Sequence, residues 1–173
     1  MSYREPQPPP GGLDNDPAWL RSAAQARAEL VVWGAHGGAG TTTLAAWLQP
    51  AWDMGAMRPP ARYPAAVASG RPLIVACRAT AWSARAATTA VAAVTRAGGH
   101  VAVLAIVSDG WPEPATATAR FRLLEPQAGL LVRVPFVPGL RLTDDPAAVP
   151  VPRRVLRALA QIRAAAGRPS PAP

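Results

Sequence analysis

The sequence predicts a small α/β domain, with a mostly parallel sheet of about four strands held between two layers of helices. Three observations predict it. Short, purely apolar runs alternate with longer Ala-rich segments along the middle of the chain. The runs at residues 72–77 and 101–107 are continuously apolar, as strands buried on both faces should be. A glycine-rich turn, Gly34-Ala35-His36-Gly37-Gly38-Ala39-Gly40, joins an apolar run directly to a threonine-rich helix start.

The elements follow in order. Residues 1–17 and 167–173 are rich in Pro and Gly, with little to bury, and are expected to be flexible tails around one domain at 18–166. Residues 18–29 read as an Ala-rich helix. Residues 30–33 read as a strand and 42–49 as a helix closed by Pro50, with Leu44, Trp47 and Leu48 on one face. Residues 50–71 show no convincing period. Residues 72–77 are the second strand. The helix at 81–97 stops at Gly98-Gly99. Residues 101–107 form the third strand, and the helix within 112–124 begins after Pro114. Residues 130–134 form a short fourth strand ended by Pro135, and 152–166 a last helix ended by Gly167.

Half of the 173 residues are hydrophobic and 16% are charged, enough for one core. All 18 basic residues are arginine, so no site can use a lysine ammonium. The net charge of +8 makes weak nucleic-acid binding an expectation. The lone Cys77, inside an apolar run, reads as a buried packing thiol. No run reaches the ~18 apolar residues of a membrane span, and no signal-like stretch stands at the N-terminus, so a cytoplasmic protein is expected. Two histidines and one cysteine do not suggest zinc.

The glycine turn carries the chemistry. A strand running into glycines and then a helix start aims backbone N–H groups at one spot, which suits an anion. Gly37, Gly38 and Gly40 are expected to take unusual dihedrals and let a phosphate come close. Thr42 offers a hydroxyl to a metal or a phosphate oxygen. A turn that merely connects strand to helix is the alternative.

The run His36-Gly37-Gly38-Ala39-Gly40-Thr41-Thr42-Thr43 resembles the deviant Walker A loop of the MinD/ParA family of SIMIBI-class P-loop proteins, K-G-G-x-G-K-T-T. The glycines and Thr42 match, while His36 and Thr41 replace the two lysines and Ala35 the leading glycine. Val134-Pro135-Phe136-Val137-Pro138-Gly139-Leu140-Arg141 resembles the family's loop beside the nucleotide base, and Asp109 falls near its base-reading position. The HGGAGTTTL turn and the VPFVPGLR segment are also similar to those of a group of short proteins from GC-rich bacteria. The resemblance implies a P-loop-like fold, and a phosphate or nucleotide site at His36, Gly37, Gly38, Ala39, Gly40, Thr41 and Thr42. It implies Asp109, Pro135 and Val137 on the base side, ATP or GTP with magnesium at Thr42 as cofactor, and an ATPase or other protein as partner, with dimerisation.

Departures from the family limit the activity. The interval that holds its acidic Walker B strand is short here, with the single acid Asp53. A charged hydrogen bond contributes about 1.5–3 kcal/mol, so the lost lysines weaken binding by roughly tenfold to a hundredfold. One missing transition-state donor costs about 10²–10³ in rate. A degenerate, non-hydrolysing or weakly active P-loop domain with a regulatory or accessory role is the expectation. An atypical ATPase taking its cation from an arginine such as Arg78 is the runner-up, and a basic DNA- or membrane-associated accessory protein the third reading. His36 is either an imidazolium touching phosphate or a neutral structural ring. Trp82 and Trp111, each after a strand, read as core or lid packing rather than stacking platforms. The basic final helix, with Val155, Leu159 and Ile162 on one side, is expected to dock on the domain's own sheet rather than anchor stably to a membrane.

Overall fold

The computed structural model describes residues 29–57 and 70–168. The helix expected at 18–29 and the two tails lie, apart from their inner ends, outside the described residues. The chain runs β1 (Leu30–Gly34), α1 (Thr41–Trp47), β2 (Ala51–Ala56), β3 (Leu73–Arg78), α2 (Ala81–Arg96), β4 (Val101–Val107), α3 (Ala115–Leu124), β5 (Leu131–Val134) and α4 (Arg153–Ala166). The five strands form one all-parallel sheet in the order β2-β1-β3-β4-β5. The α/β class and the three layers are as the sequence predicts.

The strand count is the correction: five rather than about four. β2 lies inside the stretch that shows no period. It is an edge strand, half-buried, with Gly55 at φ +67° and a register shift opposite Val32 and Gly34. Edge position and a bulge remove the apolar run that marks the other strands. What holds it is the ladder to β1, with Leu30 opposite Ala51 and Gly34 opposite Ala56.

Alternate residues of the central strands feed two cores. Val31, Trp33, Leu73, Val75, Cys77, Leu104 and Ile106 face the layer made by α2 and α3. Val32, Ile74, Ala76, Val103 and Ala105 face α1 and α4. In α2, Ala84, Ala87, Val91 and Val94 recur at helical spacing and are fully buried. Thr80 caps its start, accepting from the Ser83 N–H at 3.2 Å. Gly98 at φ +76° ends it, with the Gly99 N–H donating to Val94 O at 3.0 Å. α4 docks through Val155, Leu159 and Ile162, as expected, together with Ala158 and Ala166. Cys77 is buried, and burial pushes its thiol up to about 12. No helix among the described residues is long and apolar enough to cross a membrane.

One ion pair ties the segment after β4 to β5. Glu113 accepts two bonds from Arg133, both at 2.9 Å, and one from the Thr118 hydroxyl at 2.7 Å. The Arg133 bonds hold its carboxyl below the usual carboxylate range, against a smaller opposing effect of burial.

Phe121 fills the core beneath α3, so Phe121→Ala should cost about 3–5 kcal/mol in urea denaturation. Glu113→Gln should cost about 1 kcal/mol at neutral pH, a modest figure because Arg133 is half exposed. The folded carboxyl ionises at lower pH than the unfolded one. Its stabilisation is therefore complete above the unfolded value and is lost as pH falls through the folded value. Denaturation of both proteins along an acid series should show the difference vanish on the acid side.

Candidate functional site

β1 is followed in space by β2 on one side and β3 on the other. The chain leaves β1 toward α1 on one face of the sheet and leaves β3 toward α2 on the other. The two connections diverge, and in open α/β sheets this divergence creates the ligand crevice at the carboxyl ends of the strands. The glycine turn lies there.

Its shape follows from a few contacts. Ala35 N–H donates to Ala76 O at 2.8 Å, extending the ladder past the end of β1. The chain then folds back, and Gly38 and Gly40 take left-handed φ values of +76° and +90°. Gly37 does not, and a Cβ there meets nothing, so the unusual dihedral expected at Gly37 is not found. The glycine that space demands is Gly34. A Cβ on it would overlap Thr41 Oγ1 and come within 3.1 Å of His36 O and 3.3 Å of Ala39 Cβ. Sequence reading passed over Gly34, although it opens the run of glycines and was the available signal.

A hollow of about 270 Å³ is lined by His36, Gly38, Ala39, Gly40, Thr41, Thr42, Thr43, Gly55 and Ala56. Six of the seven residues expected to hold phosphate line it; Gly37 is exposed beside it. Thr42 is exposed, whereas Thr41 is buried with its hydroxyl packed against Gly34. Among the described residues, the N–H groups of Gly38, Gly40, Thr41 and Thr42 have no carbonyl partner. Among the described residues, no carboxylate and no guanidinium lines the hollow.

A second cleft of about 240 Å³ shares Gly40 and Thr43 with the first. The three residues expected on the base side, Asp109, Pro135 and Val137, all line it, with Trp47 and Phe136 as aromatic walls. Arg141 sits 4.7 Å over the Phe136 ring and donates to Asp109 O at 3.1 Å, joining the two loops that frame the cleft. Arg78 also lines this cleft, and it donates to Ser108 O at 3.4 Å. It does not line the glycine-turn hollow.

Of the core or lid packing expected of the two tryptophans, the core half does not hold. Trp82 is 64% and Trp111 75% exposed. Trp82 meets His36 edge-to-face, with ring centroids 4.7 Å apart. Trp111 donates its backbone N–H to Asp109 Oδ1 at 3.1 Å. Both stand near the start of connections that leave the carboxyl ends of strands.

The donor set fits a tetrahedral oxyanion: backbone N–H groups, hydroxyls and one imidazole. For magnesium the turn offers the exposed Thr42 hydroxyl, and the other ligands would have to come from a bound phosphate and water. Asp53, on neighbouring β2, spends one carboxylate oxygen on the Gly55 N–H at 2.8 Å. Among the described residues no group of three acidic, His or Cys side chains could hold a metal.

The two glycine readings separate in an alanine pair. Gly34→Ala should lower stability by about 1–3 kcal/mol, since the added methyl meets backbone and a buried side chain. Gly37→Ala should stay within about 0.5 kcal/mol of the parent. Thermal melts of the two variants check this.

Compared with known proteins, the chain matches no family model, no curated protein and no solved structure.

Proposed function

We propose that this chain is a MinD/ParA-like P-loop domain that has kept phosphate or nucleotide binding, has lost efficient hydrolysis, and acts as a regulatory or accessory protein. The observation that carries the reading is the adjacency of the two hollows. A turn whose N–H groups have no backbone carbonyl partner among the described residues lines one, and Asp109, Pro135, Phe136 and Val137 line the other, with Gly40 and Thr43 common to both. A phosphate group in the first and a ring in the second is the arrangement of a nucleotide.

The same site argues against turnover. The lysine positions hold His36 and a buried Thr41, so neither supplies a permanent cation to the transferring phosphate. Arg78, the alternative source of charge, is directed to the second cleft. Catalysis of phosphoryl transfer is mostly electrostatic stabilisation, and that is the component this turn lacks.

Addition of millimolar phosphate, sulfate, ATP or GTP should raise the melting temperature. At ten times the dissociation constant a ligand of the native state contributes about 1.4 kcal/mol, a rise of roughly 3–6 °C for a chain of this size. Gly38→Val should abolish the rise, because a β-branched side chain cannot adopt the left-handed φ without strain. Phosphate release from ATP should be no faster than that of a Gly40→Asp control, with or without magnesium. A melt unmoved by all four ligands would show the turn to be a connector only.

A further inference from the structure

Arg78 and Asp109 carry opposite charges and both line the second cleft, yet no ion pair joins them among the described residues. Arg78 ends β3 and is half-buried. The bond it makes is long, 3.4 Å from Nη1 to Ser108 O, and its other N–H groups have no partner among the described residues. Asp109 is also half-buried. Its Oδ1 accepts from the Trp111 N–H at 3.1 Å, and Oδ2 has no partner among the described residues. One cleft is thus lined by a cation with donors to spare and an anion with an acceptor to spare, held apart from each other. A ligand that satisfies both presents acceptors to one and donors to the other.

Both groups are mounted on fixed backbone. Ala79 N–H donates to Val107 O at 3.1 Å and Ser108 N–H to Val134 O at 2.9 Å, so the sheet's bonding continues to the residues beside them. Arg141 holds the Asp109 carbonyl at 3.1 Å while stacking on Phe136. Trp47 donates its indole N–H to Pro146 O at 3.0 Å, which fixes that ring in the cleft wall. Aromatic and apolar lining with a few placed polar groups suits a planar heterocycle.

Resting on the nucleotide-binding reading above, we propose that the second cleft selects guanine over adenine, with Arg78 donating to the acceptor edge of the base and Asp109 accepting from its donor edge. Guanine carries two acceptors side by side, N7 and O6, followed by two donors side by side, N1–H and the N2 amino group. A guanidinium matches the first pair and a carboxylate the second. Adenine has an amino group in place of O6 and a bare nitrogen in place of N1–H. In guanine's orientation it sets a donor against Arg78 and an acceptor against Asp109. Shifted to avoid that, it offers one acceptor, N7, to Arg78 and one donor, N6–H, to Asp109. A site whose polar groups are left short of partners rejects the ligand that leaves them so.

GTP, ITP and ATP carry the same phosphate chain, so differences among them report the base and not the glycine turn. Titrated calorimetrically against the full chain, GTP is expected to bind about tenfold to a hundredfold more tightly than ATP, the range for a bidentate contact with a base. ITP keeps N7, O6 and N1–H but lacks the N2 amino group, and is expected in between. Arg78→Met removes the donors and keeps an apolar stem, so it should bring GTP down toward ATP. Asp109→Asn keeps an oxygen for the Trp111 N–H and puts an amino group in place of Oδ2, so it should weaken GTP more than ITP. Equal binding of GTP and ATP, or tighter binding of ATP, would overturn the selection of guanine and leave the nucleotide-binding reading standing. A preference for GTP unchanged in either variant would overturn the role of the residue substituted. Failure of all three nucleotides to bind would remove this inference and the nucleotide reading together. The titrations of the parent decide the selectivity even if a variant does not fold.

Discussion

The central strands of an all-parallel sheet must bury both of their faces, and the rest of this structure depends on that constraint. Val31 and Val32, or Ile74 and Val75, point to opposite sides of the sheet and are fully buried all the same. The chain must therefore supply helices on both faces. α1 covers one side between β1 and β2, and α2 and α3 cover the other as the chain steps from β3 to β5. Connections that keep one hand change face when the direction of travel along the sheet reverses. The reversal occurs around β1, and the crevice there is a by-product of covering the sheet.

The glycine turn is the part of the chain that pays the steric consequences. To reach α1 from β1 it folds back so tightly that Thr41 lies against the Cα of Gly34. Thr41 is buried as a result, and the exposed hydroxyl at the start of α1 is that of Thr42. The imidazole of His36 is held in place by its bond to the Gly37 carbonyl, whereas a lysine ammonium would sit on a flexible stem.

The second cleft lies between α1 and the carboxyl ends of β3, β4 and β5, and two loops that bond to each other close it. Arg141 spans Phe136 and the Asp109 carbonyl, and Glu113 with Arg133 ties the following segment to β5. Each contact uses an arginine, the only basic side chain this chain has besides histidine. The planar guanidinium suits both tasks, stacking on a ring in one case and forming a forked pair in the other.

The sequence by itself determined the α/β class, the core strands and the helices of the middle, because buried parallel strands are apolar on both faces and Ala-rich helices end at visible glycines. It also showed where the glycine turn stands, since strand, glycines and helix start are consecutive in the chain. It did not show β2, whose Trp52 and Met54 alternate with Asp53 and Gly55 and which becomes a strand only through its ladder to β1. Nor could it distinguish Gly34, demanded by a close approach, from Gly37, which has open space around it. The state of His36 was equally hidden. Which of its nitrogens is bonded, and which is buried without a partner, depends on the Gly37 carbonyl and on an indole 46 residues away in the chain. Patterns of burial repeat along the sequence and can be read from it, whereas contacts between distant residues exist only once the sheet has brought them together.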